Sequence, residues 1–350
     1  MRFVTLTIIL GVGFGCTAAP GMSEAPLSLA ADLDLPMPTE RVLSKAETVR
    51  EQRQTKADEF DVRGDYQEIY GESRPPSGPV RAIAEFENTD AVLIAWESGL
   101  GTFLLDLVTA VSAASDVWVL TWDLQESGAI RELLSVRGAN LNRIRFFEFP
   151  HESFWTRDYG PISVVDRAGN TVFVDPRYYP QRRRDDAVPT LMSRYFGVEA
   201  TRPALSTEGG NFMTNGEGIC VVTEWLLQEN PDLSSERLQQ MQDQYFGCRR
   251  TIVLERLARE GTGHVDMFAK FLSPNTILVG DYDEMDPENA ALLDRNVARL
   301  QDFASENNWS LNVVRIPMPA GGNDVYRSYT NSLIVNDLVI VPTYRGDRRY

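Results

Sequence analysis

Along this chain one arrangement keeps returning: two adjacent extended runs, a segment with helical spacing of apolar residues, and then one more strand. The first such unit is read at 162–165 and 171–174, split by Arg167-Ala168-Gly169-Asn170, with a short helix near 188–195 and a strand near 200–205. A second has strands at 211–214 and 219–223 around Asn215-Gly216-Glu217-Gly218, a helix over 234–246 and a strand at 251–254. The third runs through 264–271, 276–279, a long helix at 287–306 and a strand at 311–316. A fourth begins with 329–335 and 338–341, and there the sequence stops. Units of this kind cannot bury an apolar face alone, so their recurrence predicts radial repetition: a propeller-like set of α/β modules whose last member lacks its helix and final strand. The alternative is an ordinary α/β sheet with irregular insertions.

At 350 residues the chain can bury a full core, as one large domain or two ordinary ones. Its formal net charge of −16 argues against nucleic-acid binding, which needs clustered Lys and Arg, and favours a cationic ligand. Met1-Arg2 followed by the apolar run 3–14 is too short for a membrane span and suits an export signal over 1–16. Gly15-Cys16 also suits the end of a lipoprotein signal, which would leave Cys16 acylated and the protein attached to a membrane. Residues 17–80 are polar, with a Pro-rich break at Arg74-Pro75-Pro76-Ser77-Gly78-Pro79, and read as a tether. The compact domain is assigned to 81–350, its folded part starting near Phe86.

After Cys16 only Cys220 and Cys248 remain, and their spacing does not show whether they pair. Cys220, in the apolar run Ile219-Cys220-Val221-Val222, reads as a small packed hydrophobe. Neither a CxxC nor an HExxH pattern occurs, so no metal site is expected.

Four motifs carry chemistry, each at the start of one proposed hairpin: Trp155-Thr156-Arg157-Asp158-Tyr159-Gly160-Pro161, Glu208-Gly209-Gly210-Asn211, Gly263-His264-Val265-Asp266 and Tyr329-Thr330-Asn331-Ser332. Recurrence at one structural position aims these groups at a common axis. His264 and Asp266, two apart in an expected strand, should share a face. With His151 the only other histidine, His264 is one of two candidates for acid–base work near neutral pH. The glycines beside Glu208 permit positive φ or a close backbone approach. Taken singly, each motif also has a structural reading: a packed histidine, an internal Arg157–Asp pair, a plain Gly-Gly turn, or an Asn331 that satisfies backbone groups.

Taken together and in this order, the motifs resemble those of the bacterial agmatine deiminase and peptidylarginine deiminase family, guanidine-modifying enzymes of pentein fold, over roughly 86–344. The resemblance implies a five-module α/β propeller and hydrolysis of a guanidinium to a ureido group with release of ammonia. It casts Asp158 and Asp266 as acceptors for the guanidinium, which is planar, always cationic and carries five donors. Trp155 would lie against the cation's face. A cysteine thiolate would attack the central carbon, and His264 would protonate the departing ammonia and then activate water. Glu208 would orient His264, Asn331 would position substrate or nucleophile, and no cofactor would be required. That family's cysteine lies beyond the position matched by Asn331, where this sequence has ended, so a C-terminally truncated enzyme that lacks its nucleophile is expected.

Agmatine, arginine and peptidyl-arginine share the reacting head, so the remote end of the pocket must discriminate among them. Arg182 and Arg184 would clamp the carboxylate of a C-terminal arginine, and export also favours a peptide substrate. Against that stands a solvated basic patch neutralised by Asp185 and Asp186. Two other functions fit the same residues: a guanidine-binding protein without turnover, and an amidinotransferase in which an amine replaces water.

Overall fold

Strands form where short β-branched and aromatic runs lie between turn residues, and helices where an apolar stripe recurs every three to four positions. The structure, a computed structural model, describes residues 72–319 and 326–344 together with the backbone of two short strands, Thr5–Leu6 (β1) and Gly15–Ala18 (β2). The export signal and most of the tether read from the sequence otherwise lie outside the described residues.

From Val80 onward the chain alternates sheet and helix. Val80–Ala82 (β3) and Ala91–Ala95 (β4) precede the helix Thr102–Ala114 (α1), the strand Asp116–Thr121 (β5), the helix Leu124–Arg137 (α2) and the strand Ile144–Glu148 (β6). β4, β5 and β6 pair in parallel, with β1 at the edge, and helical crossovers carry the steps from β4 to β5 and from β5 to β6. This sheet has no hairpin, so the hairpin-led pattern in the sequence passes over it.

Three units then follow one plan. After a short helix, Thr156–Tyr159 (α3), come Ile162–Asp166 (β7), Thr171–Val174 (β8), the helix Arg183–Phe196 (α4) and Glu199–Thr201 (β9). Next are Met213–Thr214 (β10), Ile219–Thr223 (β11), the helices Trp225–Glu229 (α5) and Ser235–Phe246 (α6), and Arg250–Leu254 (β12). The third comprises Ala269–Ser273 (β13), Thr276–Asp281 (β14), the helix Pro287–Glu306 (α7) and Asn312–Pro317 (β15). In each, the hairpin is antiparallel and the strand after the helix pairs in parallel with its second strand. β3 extends the first of these sheets. Leu333–Val335 (β16) and Leu338–Thr343 (β17) form a last hairpin, flanked by β2. The described strands thus make five separate small sheets.

Local signals set the helix limits. Ser234 caps α6 by accepting from Arg237 N, and Gly247 ends it with φ +73, where an added Cβ would meet Val80 O at 2.0 Å. Leu238, Met241, Tyr245 and Phe246 form its buried stripe. The two ends of the sheet series share one core, in which Val92, Ile94, Phe103, Leu107 and Val119 pack with Leu333, Val335 and Ile340.

Cys220 and Cys248 form a disulfide across 28 residues, which corrects the reading of Cys220 as a free packed hydrophobe; both are fully buried, and the bond joins β11 to the turn before β12. Cross-linking a loop of that length lowers unfolded-state entropy by the equivalent of about 3–4 kcal/mol. Replacing both cysteines by alanine should lower the unfolding free energy by about that amount, measured by urea unfolding, with a steeper slope as the unfolded chain expands.

Candidate active site

Asp158 lies in α3, a single turn between β6 and β7, and Glu208 immediately precedes the 3-10 turn Gly209–Asn211. His264 and Asp266 lie beside and in a second such turn, Val265–Met267, not in a strand. β13 starts only at Ala269, so alternation along a strand is not what brings these two side chains together. The turns are braced to one another. Asn211 Oδ1 accepts from Thr223 N at 2.9 Å, and Thr223 Oγ1 donates to Gly263 O at 2.5 Å, which links the Glu208 and His264 segments through β11. Thr330 Oγ1 donates to Asp266 O at 3.0 Å, bringing in the fourth motif.

The glycines are needed for closeness, not for positive φ. A Cβ on Gly209 would lie 2.0 Å from Arg157 O, and one on Gly210 would lie 2.4 Å from His264 Nδ1 and 2.8 Å from Asp158 Oδ1. Neither glycine is among the positive-φ residues. Any side chain at position 210 would part the imidazole from the carboxylate.

His264 is 2% exposed and is hydrogen-bonded through one nitrogen, with the other facing a carboxylate and without a hydrogen-bond partner among the described residues. Nε2 donates to Glu208, and Nδ1 stands 3.7 Å from Asp158 Oδ1. Burial alone would lower the imidazole's pKa, but Asp158, Glu208 and Asp266 outweigh it and push it up to about 10. Burial raises Asp158 and Asp266 above the ordinary carboxylate range, and the neighbouring charges of Glu208 and Asp266 add to the rise at Asp158. Gly210 N donates to Asp158 Oδ1 at 3.3 Å. Asp266 differs: both of its oxygens are buried without a hydrogen-bond partner among the described residues, and Arg157 Nε is its ion-pair neighbour at 3.7 Å.

Two residues of the cluster were not found from the sequence. Glu85 accepts from Arg157 Nη2 at 3.0 Å, from Lys270 Nζ at 2.5 Å and from Ile334 N at 3.2 Å. Burial would raise its pKa, but Lys270 and Arg157 hold it below the usual range. Lys270, 2% exposed within β13, was legible in principle, because a lone lysine in an apolar strand can be buried only beside an anion. A cavity of mixed lining, with Glu85, Arg157, Asp266 and Lys270 among apolar side chains such as Phe212 and Phe271, adjoins Asp266.

The remaining candidates are placed differently. The Trp155 ring packs on Phe154, centroids 4.2 Å apart, and lies partly buried against the core around Tyr159 and Phe173. Asn331 Nδ2 faces Met267 Sδ at 3.7 Å, beside the turn that carries Asp266. Arg182 donates to the Tyr178 hydroxyl at 2.9 Å and lies over the Tyr178 and Tyr179 rings. The Tyr179 hydroxyl pKa is raised by burial and then by Glu208, so the ring under Arg182 neighbours that carboxylate. Arg184 points elsewhere, over the Trp122 ring at 5.4 Å, so the two arginines do not form one clamp. His151 is buried between the carbonyls of Phe149 and Trp96, at 3.1 and 3.0 Å, in a packing role.

Chemically, the arrangement offers a buried carboxylate with open acceptors, a second carboxylate beside a protonated imidazole, and a third that fixes the ring. Residues 81–349 match the sequence profile of the Porphyromonas-type peptidyl-arginine deiminases. A Selenomonas ruminantium protein, provisionally named an agmatine deiminase, is 24% identical over 325 residues, covering 79% of this chain and 86% of that one. The agmatine deiminase of Stutzerimonas stutzeri is 29% identical over 243 residues, 59% of this chain and 66% of its own length. The fold is that of a solved C. jejuni agmatine deiminase with substrate bound, which superposes with a TM-score of 0.65 at 20% identity over 77% of this chain and 84% of the other.

Proposed function

The chain belongs to the Porphyromonas-type peptidyl-arginine deiminase family, and from that premise we propose that it binds a guanidinium between Asp158 and Asp266 and serves its hydrolytic deimination to a ureido group. The observation that carries this reading is that both Asp266 oxygens are buried and without donors among the described residues, beside Glu208 Oε1 and His264 Nδ1, which are unpaired as well. A buried carboxylate left so is costly unless a ligand supplies the donors, and a guanidinium supplies them in pairs. The five sheets, with the last hairpin packed on the first sheet's core, support the five-module pentein arrangement.

In this reading a thiolate adds to the central carbon and the C–N bond to one amino group breaks. His264, held as imidazolium, gives its proton to the leaving ammonia. The ring then takes a proton from water as that water attacks the thiouronium carbon, and the C–S bond breaks to free the thiol. Cys220 and Cys248 are bonded to each other, so neither supplies the thiolate. Export is proposed as well: the disulfide is at home in an oxidising compartment.

Arg182, over the Tyr179 ring that neighbours Glu208, favours a C-terminal arginine over agmatine. Calorimetry should therefore show tighter binding of an arginine-terminated peptide than of agmatine. Arg182→Ala should weaken the peptide by roughly tenfold, as expected for losing a charged hydrogen bond, and leave agmatine unchanged. Equal affinities, insensitive to Arg182, would remove the preference. Ammonia release from either ligand tests turnover. Saturable binding with no ammonia would leave the guanidine-binding reading in its place.

A further inference from the structure

Arg157 carries the same head group as the proposed ligand, and it sits beside the acceptor that ligand needs. Its Nε is 3.7 Å from Asp266 Oδ2, beyond hydrogen-bond reach, and both that nitrogen and the two Asp266 oxygens are buried without partners among the described residues. A buried guanidinium so near an open carboxylate would ordinarily close into a pair of parallel short bonds. Something restrains it. Glu85, 72 residues earlier in the chain, accepts from Arg157 Nη2 at 3.0 Å and is itself pinned by Lys270 Nζ and by Ile334 N. The three anchors come from β13, α3 and the start of the last hairpin, so Glu85 is fixed from three sides.

We infer that Glu85 is a positioning residue: by drawing Arg157 to itself it keeps this internal guanidinium from occupying Asp266, and so holds the acceptor open for the ligand. The inference rests on the guanidinium-binding reading and adds to it a built-in competitor and the group that restrains it. Without Glu85 the fork of Arg157 would swing onto Asp266 and the site would bind its own arginine. Lys270 contributes by fixing Glu85, whose second oxygen it holds at 2.5 Å.

The test has one arm without ligand. In a crystal structure of Glu85→Gln, Arg157 should approach Asp266 to about 2.8 Å, the length of a charge-assisted bond. An Arg157 that stays near 3.7 Å from Asp266 in that variant overturns the inference, whether or not any ligand binds. In the second arm, calorimetry with agmatine should show Glu85→Gln at least about tenfold weaker than the parent protein, and Glu85→Gln with Arg157→Gln restored toward it. A double variant weaker than the single one would mean that Glu85 merely supports the fold, and would overturn the inference. Should Glu85→Gln not fold, Glu85→Asp keeps the carboxylate and should retain Arg157 at its side in the crystal. Arg157 paired to Asp266 in Glu85→Asp would contradict the inference. If the parent protein itself binds no agmatine, the proposed function fails on that result, while the Arg157–Asp266 distance still decides the role of Glu85.

Discussion

Asp266→Asn should abolish guanidine binding while leaving the protein folded. The carboxylate is buried, its two oxygens have no donors among the described residues, and Arg157, the arginine within ion-pair distance, already has Glu85 as its closer partner. Removing the charge therefore relieves the folded protein of an awkward burial and strips the site of the acceptor a planar cation requires. Truncating one partner of a desolvated charge pair typically costs about 2–5 kcal/mol, or roughly thirtyfold to several thousandfold in Kd. Isothermal calorimetry with agmatine and with an arginine-terminated peptide would read the loss, and a thermal melt of the same sample should be unchanged or slightly raised. An Asp266→Asn protein that binds either ligand as tightly as its parent would refute the assignment of this carboxylate as the guanidinium acceptor.

His264→Gln should lower turnover by roughly 10²- to 10⁴-fold with little change in KM, the size expected for losing a positioned general acid and base. Glutamine keeps a donor toward Glu208 but carries no transferable proton. The same residue makes a pH prediction. Its imidazole pKa is pushed up to about 10, because burial, which alone would lower it, is outweighed by Asp158, Glu208 and Asp266. The folded state therefore holds this proton more tightly than the unfolded chain. The stabilisation is complete below the ordinary histidine value of 6.5 and is lost as pH rises through the folded value near 10. With two histidines in the sequence, the imidazole signals are assignable from the variant alone. His264 should remain imidazolium through neutral pH when the site is empty. A guanidinium arriving between Asp158 and Asp266 should bring its titration down toward neutrality, since a nearby cation disfavours the charged ring. A ring that titrates near 6.5 in the empty protein would contradict the carboxylate cage.

What could be read in advance follows from the range of each signal. Turn residues and apolar spacing act within a few positions, so the hairpins of the three internal units, the long helix 287–306 and the last hairpin were all visible. The all-parallel first sheet was not, because its strands are tied by crossovers instead of hairpins. The motif order gave Asp158, Glu208, His264 and Asp266, yet strand alternation does not account for the last two: tight turns, not a pleat, present His264 and Asp266. Arg184 was expected beside Arg182 and instead lies over the Trp122 ring, since a long cation is satisfied by whichever neighbour the fold supplies.

The sequence by itself determined the α/β class, the repeating order of elements and the identity of the charged groups, because each is written in local spacing or in a short motif. Only the tertiary structure decided which charges meet. Glu85 and Lys270 stand 185 residues apart and read separately as an acid in a loop and a stray lysine in a strand. Brought together in a largely buried site, they neutralise each other, and in doing so they determine where Arg157 rests and whether Asp266 is open. Coulomb forces between buried groups depend on distance in space, and separation along the chain does not reveal it.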